Sequence, residues 1–236
     1  AGGSARTQNR YPSPAPSSGM FTGIVEGTGA VRSRTETDDG LRLRIGVDGF
    51  DDLHHGQSIS VSGVCLTVEE YGSDGDVADD DTATDGDHAA DGGGEGFEVF
   101  LASETVAKTY LGDVREGDAV NVERAMPADG RFDGHVVQGH VDTVAEVTGI
   151  ERVGEDWRFT FSIPEGHGDY LVDKGSVTLD GISLTVAEKR GDDFEVAIIP
   201  TTYDLTTLSA KSVGDPVHLE VAVIAKDVEN MIDGYV

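Results

Sequence analysis

Residues Asp180-Gly181-Ile182-Ser183-Leu184-Thr185-Val186 predict a β-strand, because apolar and small polar side chains alternate along them. A near copy occurs earlier in the chain: residues 63–68 read Gly-Val-Cys-Leu-Thr-Val, and residues 181–186 read Gly-Ile-Ser-Leu-Thr-Val. Side chains of a strand point to alternate faces, so each copy turns three apolar residues one way and a small polar pair the other. The pairs are Cys65 with Thr67 and Ser183 with Thr185. They are the candidate site.

The repetition extends well beyond this strand. Gly63 to Gly181 is a step of 118 residues, whereas Glu123 to Glu220 is a step of only 97, so the first copy carries 21 extra residues. Their place is the acidic stretch 72–96, which holds nine carboxylates and no Lys or Arg. Two strand-rich halves of about a hundred residues indicate a duplication. With about six short strands each, the expected unit is a small closed barrel.

Local patterns predict the individual elements. Gln57–Glu70 is predicted as one strand, and Glu104–Leu111 as a short helix ending at Gly112. After Glu220 the apolar residues change to helical spacing, and so short a helix must pack on its own chain or on copies of itself. The predicted organisation is a disordered or non-native extension over 1–19, an N-terminal barrel over 20–130, a C-terminal barrel over 131–221 and an oligomerisation helix over 222–236.

The composition restricts the possible partners and the compartment. Of 236 residues, 45 are Asp or Glu against 17 Lys or Arg, which gives a formal charge of -28. Such a surface repels nucleic acid and anionic membranes, so neither is expected to bind. We interpret the acidity as halophile-like solvation in high salt. The single Cys65 excludes an internal disulfide and a Cys-based metal site. Without an apolar run of about 18 residues or a secretory signal, we expect a cytoplasmic protein.

Five motifs in this order resemble riboflavin synthase of the α-chain type. They are Met20 to Val25, Gly63 to Val68, Gly134-His135 with Gly139-His140, Asp180 to Val186, and Ile199 to Leu208. The resemblance spans Met20 to about Asp233 and is interrupted only by the acidic stretch. It implies an all-β fold of two tandem duplicated six-stranded Greek-key β-barrels that bind lumazine, followed by a short C-terminal α-helix that trimerises the chain.

The resemblance also implies an activity, the last step of riboflavin biosynthesis. Two molecules of 6,7-dimethyl-8-ribityllumazine exchange a four-carbon unit and give riboflavin and 5-amino-6-ribitylaminouracil, with no cofactor and no metal. The implied site lies between the N-terminal barrel of one subunit and the C-terminal barrel of its neighbour. Association with lumazine synthase is a further expectation. The alternatives are a non-catalytic lumazine- or flavin-binding antenna protein and a structural barrel module that binds no small ligand.

The resemblance also implies candidate substrate-binding residues, carried over from the family's ligand contacts, with Phe21, Thr22 and Ser58 added as residues that would line the ring. In the first half they are Phe21, Thr22, Gly23, Ile24, Val25, Ser58, Cys65, Leu66, Thr67, Phe100, Leu101, Ala102, Ser103, Glu104 and Thr105. In the second half they are Gly139, His140, Val141, Lys174, Ser183, Leu184, Thr185, Ala197, Ile198, Ile199, Pro200, Thr201 and Thr202. One position departs from the family, which usually has an Asp where this chain has Ala222.

The two halves are chemically unequal, which suggests distinct roles. Cys65 corresponds to Ser183, and Ile24 corresponds to His140. We hypothesise that His140, with Ser183 and Thr185, handles proton transfer on one lumazine. Cys65 would line the other ring together with Thr67, Ser58, Phe21 and Thr22, and would assist addition there. His135 and His140 could suggest a metal-binding pair, but a spacing of five puts them on opposite faces of a strand, so His135 is predicted to be structural and not a metal ligand.

Overall fold

Twelve strands form two closed barrels in this computed structural model, which describes residues 19–73 and 95–233. The strands of the first barrel are β1 Gly27–Thr37, β2 Gly40–Gly46, β3 Ser58–Val61, β4 Val64–Ser73, β5 Glu95–Ala102 and β6 Ala119–Arg124. Those of the second are β7 Thr143–Val153, β8 Asp156–Ser162, β9 Ser176–Leu179, β10 Ile182–Arg190, β11 Asp193–Ile198 and β12 Pro216–Val221. The helices are α1 Ser103–Lys108, α2 Pro200–Leu205 and α3 Val223–Asp233.

Both barrels have the same strand order. The first runs β1-β2-β5-β4-β3-β6 and the second β7-β8-β11-β10-β9-β12, and every pairing is antiparallel. Even the β-bulges repeat: β1 shifts register between Val31 and Ser33, and β7 does so between Val147 and Gly149. The prediction of an all-β chain with two tandem six-stranded Greek-key barrels and a short C-terminal helix is confirmed.

One predicted element is wrong. The segment predicted as a single strand over Gln57–Glu70 is a hairpin, in which β3 reverses into β4. The turn consists of Ser62 and Gly63, both with positive φ (44° and 83°), the backbone geometry of a two-residue hairpin turn. Asp180 and Gly181 form the same turn between β9 and β10. The stretch that opens the second motif is therefore a turn followed by a strand.

The helices differ in smaller ways from the prediction. Residues predicted as one helix over Glu104–Leu111 form α1 and then a separate 3₁₀ turn, Tyr110–Gly112.

The strands beside the acidic stretch extend into its predicted bounds, because β4 reaches Ser73 and β5 begins at Glu95. The remainder of that stretch lies outside the described residues, as do residues 1–18 of the predicted extension. Within the described ranges, no helix has the length and apolar character needed to span a membrane.

The two barrels meet at a buried polar contact with approximate two-fold symmetry. The Asn121 side-chain amide donates to the Asp180 carbonyl at 2.9 Å, and the His218 imidazole contacts the Ser62 carbonyl through Nδ1 at 2.7 Å. The other ring nitrogen, Nε2, lies 3.0 Å from the donating Tyr110 N–H. Accepting there requires an unprotonated Nε2, so His218 is neutral with its proton on Nδ1. Burial lowers the pKa of His218, which favours this neutral form.

Symmetry at this contact is broken by one buried charge. Asp180 stands where the first barrel has Ser62, and its fully buried carboxylate forms an ion pair with Lys211 at 3.0 Å. Lys211 Nζ also lies 4.6 Å from the centre of the Tyr110 ring. A buried carboxylate is tolerated only where a cation or hydrogen-bond donors compensate for its lost hydration. Lys211 therefore supplies part of the stability of the contact between the barrels.

Replacing Lys211 with Met is expected to lower the free energy of unfolding by about 3 kcal/mol, because the Asp180 carboxylate loses its cation but stays buried. Urea unfolding of the purified protein measures the change. The matched control is Lys108→Met, which removes the surface ion pair with Glu104 and should change stability very little. If both variants lost the same free energy of unfolding, the buried Asp180–Lys211 pair would stabilise the protein no more than the surface pair does.

Candidate functional site

The small polar pairs lie on the outer faces of the two barrels. Cys65 is half-buried and Thr67 exposed on β4, and Ser183 and Thr185 have the same exposures on β10. The alternating apolar residues face the barrel interiors, as predicted; they are Val64, Leu66, Val68, Ile182, Leu184 and Val186. Leu66 and Leu184, which were predicted to bind substrate, are thus core residues. Only their backbone can reach a ligand on the outer face.

The chain preceding β1 completes the site on the second barrel. This first crossing segment, residues 21–25, leaves the first barrel and lies against β10, where the Gly23 carbonyl accepts from the Ser183 N–H at 2.7 Å. Val25 packs on the second core. A Cβ at Gly23 would lie 2.7 Å from the Ser183 Cβ, and φ is +74°. Only glycine allows so close a backbone contact. We call this outer face of β10, with the first crossing segment, the C-barrel site.

The chain preceding β7 makes the reciprocal contact. This second crossing segment, residues 137–141, lies against β4, and the Gly139 carbonyl accepts from the Cys65 N–H at 2.8 Å. Val141 packs on the first core, and a Cβ at Gly139 would lie 2.7 Å from the Cys65 Cβ. We call this outer face of β4, with the second crossing segment, the N-barrel site.

The hypothesised grouping of the catalytic residues is therefore wrong within one chain. His140 was grouped with Ser183 and Thr185, but its segment lies against Cys65 on the other barrel. Phe21 and Thr22 were grouped with Cys65, but they precede the residue that contacts Ser183. From the order of the sequence, each crossing segment was assigned to the barrel that follows it in the chain. In the structure, each segment lies against the other barrel. At the centre of the exchange, Phe21 and Val137 donate to each other's carbonyls at 2.8 and 3.1 Å.

Two buried carboxylates hold the crossing segments, and sequence reasoning missed both. Glu123, on β6, accepts from the Thr22 N–H at 2.7 Å, the Thr22 hydroxyl at 3.0 Å and the Gly23 N–H at 3.1 Å. Glu220, on β12, accepts from the backbone N–H groups of Gln138, Gly139 and His140 at 2.8, 3.0 and 3.1 Å. The available signal was a Glu at the end of the last strand of each half, at matching places in the repeat.

Burial sets the protonation of both carboxyl groups. It raises the pKa of Glu123 to about 7, although the donors from Thr22 and Gly23 act in the opposite direction. Burial likewise raises the pKa of Glu220, against the lowering by its backbone donors and by Lys226. Glu123 therefore titrates near neutral pH.

This titration predicts a pH dependence of stability. Since the folded pKa of about 7 exceeds the ordinary value of 4.5, the folded protein binds the extra proton, and stability falls as pH rises between these values. Glu123→Gln removes this dependence. Relative to the parent, the variant should therefore gain on the order of 2–3 kcal/mol in free energy of unfolding between pH 5 and pH 8. Urea unfolding at both pH values measures it. A stability difference between parent and variant that does not change with pH would contradict the assignment.

His135 belongs to the C-barrel site and lies in a loop, not on a strand. Its Nδ1 is 2.7 Å from the Ser183 hydroxyl and its Nε2 is 3.2 Å from the Thr178 hydroxyl. Burial lowers the pKa of His135, so the imidazole is neutral. A neutral imidazole has one donor and one acceptor nitrogen, so it donates to one hydroxyl and accepts from the other. The prediction that His135 is structural and not a metal ligand rested on strand alternation, which does not apply in a loop. In the structure, His135 fixes the orientation of the Ser183 hydroxyl.

Cys65 is protonated in the N-barrel site. Burial raises the pKa of its thiol, as does the nearby Glu220 charge, whereas a hydrogen bond with Ser58 lowers it. The reactive form of cysteine is the thiolate, which this environment disfavours. Cys65 can thus donate a weak hydrogen bond to a bound ring but is not poised to add as a thiolate.

The remaining predicted residues lie at equivalent places in the two barrels. In the first, they end β5 or begin α1, and are Phe100, Leu101, Ala102, Ser103, Glu104 and Thr105. In the second, they end β11 or begin α2, and are Ala197, Ile198, Ile199, Pro200, Thr201 and Thr202. Leu101 and Ile198 are fully buried core residues. Lys174 is exposed before β9, and its ammonium lies 3.3 Å from the Ala187 carbonyl.

A carboxylate lies beside the position where this chain has Ala222. Asp142 accepts from the Val221 N–H at 2.9 Å and pairs with Lys226 at 2.9 Å. It follows the second crossing segment directly, so it can supply a negative charge at this end of the barrel.

In the described part of the chain, no three or more His, Cys, Asp or Glu side chains are arranged to hold a metal ion.

Comparison with known proteins identifies the family. The lumazine-binding domain profile matches residues 22–125 and 138–222, one copy per barrel. Riboflavin synthase of Mycobacterium bovis is 43% identical over 219 residues, which cover 90% of this chain and 98% of that protein. This chain belongs to the riboflavin synthase family. Riboflavin synthases of Schizosaccharomyces pombe and Bacillus subtilis are 37% and 36% identical, over 92% and 88% of this chain and 96% and 87% of theirs.

The fold of this riboflavin synthase family member also occurs in a solved structure. LumP complexed with riboflavin superposes with a TM-score of 0.72 at 20% identity, over 86% of this chain and 100% of that one. LumP complexed with 6,7-dimethyl-8-(1'-D-ribityl) lumazine gives a TM-score of 0.69 at the same identity and covers 86% of this chain and 99% of that one. At this identity the likeness establishes the two-barrel fold alone.

Proposed function

We propose that this chain is a riboflavin synthase that converts two molecules of 6,7-dimethyl-8-ribityllumazine into riboflavin and 5-amino-6-ribitylaminouracil. The observation that carries the proposal is the pair of matched but unequal sites, with Cys65 on one outer face and Ser183 with His135 on the other. A reaction between two copies of one substrate needs two sites of similar shape and different chemistry. The identity of 43% to a riboflavin synthase supports the same conclusion.

Chemically, the reaction requires little beyond positioning and proton transfer. The two products together contain all the atoms of the two lumazines, so no oxidant, reductant or cofactor is consumed. Aligning two bound rings removes a large entropic barrier. A proton must leave the methyl group on C7 of one ring, and the resulting carbanion is delocalised into the heterocycle, where fixed donors stabilise it. Ser183, Thr185 and His135 on one side and Cys65, Thr67 and His140 on the other are the candidate groups.

Backbone groups are the second part of the proposed recognition. The two crossing segments and the ends of β5 and β11 expose peptide groups along each outer face, and such groups can bind the pyrimidine edge as a further strand would. Leu66, Leu101, Leu184 and Ile198 contribute only in this way, because their side chains are buried. The polar side chains then distinguish the two rings.

The assembly that we propose is a homotrimer held by α3. Ile224, Val228, Met231 and Ile232 form an apolar stripe along this helix, and each is roughly half or more exposed. A helix of eleven residues with such a stripe is stabilised by packing on another surface. The trimer would bring the outer face of β4 in one subunit onto the outer face of β10 in the next. We further propose a cytoplasmic location, adaptation of the acidic surface to high salt, and association with lumazine synthase.

Incubating the purified protein with 6,7-dimethyl-8-ribityllumazine tests the proposal. We expect the absorbance and fluorescence of riboflavin to appear without any added cofactor or metal. Replacing His140 with Ala separates its role from that of Cys65. A fully active His140→Ala variant would exclude proton transfer by this imidazole. Tight lumazine binding with no product would instead indicate an antenna-type protein.

A further inference from the structure

Glu123 and Glu220 lie far along the sequence from the residues of the opposite barrel's polar pair, yet each is linked to that strand by two hydrogen bonds through one intervening glycine. Glu123 accepts three hydrogen bonds from Thr22 and Gly23, and the Gly23 carbonyl accepts in turn from the Ser183 N–H. Glu220 accepts three from residues 138–140, and the Gly139 carbonyl accepts from the Cys65 N–H. Each of these two series of hydrogen bonds begins in one barrel and ends on the other.

We propose that Glu123 and Glu220 are positioning residues that act crosswise, each fixing the segment that completes the ligand site on the opposite barrel. This inference rests on the proposed function for the identity of the ligand, although the crosswise arrangement can be tested by binding alone. Glu123, in the first barrel, sets the C-barrel site. Glu220, in the second barrel, sets the N-barrel site.

Because these two carboxylates are buried, the position of the crossing segments depends on them. Glu123 and Glu220 are 5% and 3% exposed, so no bulk water can replace a lost acceptor for the segment N–H groups. In its ionised form, which Glu123 adopts above its pKa of about 7, each carboxyl group accepts from three donors with its two oxygens. An amide cannot reproduce this set, because its NH₂ group would face a donating N–H, so the comparison is made at pH 8. A change from Glu to Gln therefore displaces the segment while conserving the volume of the side chain.

A second observation links Glu220 to the opposite barrel. Its charge helps to raise the pKa of Cys65, although the two residues belong to different barrels. The last residues of the segments support the same pattern, since Val25 packs on the second core and Val141 on the first. The crossing segments are thus held at both ends, by a carboxylate in one barrel and by an apolar contact in the other.

The chain contains a natural reporter in each barrel. Cys65 is its only cysteine and lies in the N-barrel site, so protection from alkylation by iodoacetamide reports occupancy there. Trp157 is its only tryptophan. It pairs with Ile198 on β11 and stacks on Tyr203 of α2 at 4.3 Å, beside the predicted ligand residues that end β11 and begin α2 next to the C-barrel site. The NMR signal of its indole N–H therefore reports occupancy of that site.

The experiment titrates full-length Glu123→Gln and Glu220→Gln with riboflavin and reads both reporters. We expect Glu220→Gln to raise the Kd obtained from Cys65 protection roughly 10-fold or more, with the Kd from the Trp157 signal unchanged. Glu123→Gln should do the reverse. The matched control, Glu26→Gln, alters a carboxylate beside the first crossing segment that bonds to Arg124 in its own barrel, and should leave both Kd values unchanged.

Thr22→Val provides a milder second variant, because it removes one of three donors to Glu123 and leaves the carboxylate in place. It should raise only the Kd read by Trp157, by roughly 3-fold. Effects on the reporter of the same barrel, equal losses at both sites, or no effect at either would each overturn the crosswise assignment. A parent protein that forms no riboflavin would refute the proposed function, whereas the binding titrations would still decide this inference.

Discussion

Replacing Gly139 with Ala is expected to reduce riboflavin formation at least about 100-fold, the loss that follows when reacting groups are displaced by about 1 Å. A Cβ at Gly139 would lie 2.7 Å from the Cys65 Cβ and 2.9 Å from the Cys65 backbone nitrogen. Neither atom can move aside easily, because Cys65 pairs with Ser60 in the β3–β4 hairpin. The second crossing segment must therefore leave the strand, and the 2.8 Å bond from Cys65 to the Gly139 carbonyl is lost.

The control for this substitution is Gly154→Ala. Gly154 has a similar φ (+69° against +75°) but nothing within 4 Å of the added Cβ, so it reproduces the backbone strain without the collision. Steady-state kinetics of both variants with 6,7-dimethyl-8-ribityllumazine measure the difference. Gly23→Ala should behave as Gly139→Ala does, since its Cβ meets Ser183 at 2.7 Å. If Gly139→Ala were as active as Gly154→Ala, the crossing segment would have no part in the site.

Replacing both Ile224 and Met231 with Glu is expected to dissociate the proposed trimer and lower activity at least about 100-fold, because each subunit then lacks the facing barrel that aligns the second ring. These side chains are 68% and 65% exposed in the single chain, so the change buries no charge within the subunit. Sedimentation velocity gives the oligomeric state, and riboflavin formation gives the activity.

Asn230→Glu is the control for position, since it places one negative charge on α3 outside the apolar stripe. It should leave both assembly and activity unchanged. A dissociated Ile224→Glu, Met231→Glu variant with full activity would show that a single chain aligns both substrates. An undissociated variant would show that α3 is not the contact between subunits.

The faces of the strands were predictable from the sequence, because their cause is local. Alternation at Val64, Leu66 and Val68 follows from the geometry of a strand and needs no knowledge of its partners. The repeat then predicted two equivalent barrels. The β3–β4 hairpin was missed, although a signal existed: the apolar positions change from odd (Ile59, Val61) to even (Val64, Leu66, Val68) across Ser62 and Gly63.

The arrangement of the site was not predictable in the same way. The contact of Gly139 with Cys65 joins residues far apart in sequence, and no periodicity specifies which barrel a connecting segment will lie on. Glu123 and Glu220 looked like ordinary strand-end carboxylates, because burial of a charged residue depends on the fold around it. The sequence therefore predicted which face of each strand carries the polar pair, but it assigned the crossing segments, and with them His140, to the wrong barrel.

An isotope experiment tests most directly whether the two sites carry out a reaction between two lumazines. The substrate is an equal mixture of unlabelled 6,7-dimethyl-8-ribityllumazine and the same compound with ¹³C at C6, C7 and both methyl carbons. Random pairing of two substrates predicts riboflavin with zero, four or eight labelled carbons in a ratio of about 1:2:1, and 5-amino-6-ribitylaminouracil with none. Riboflavin that lacks the species with eight labelled carbons, or no riboflavin at all, would contradict the proposed exchange.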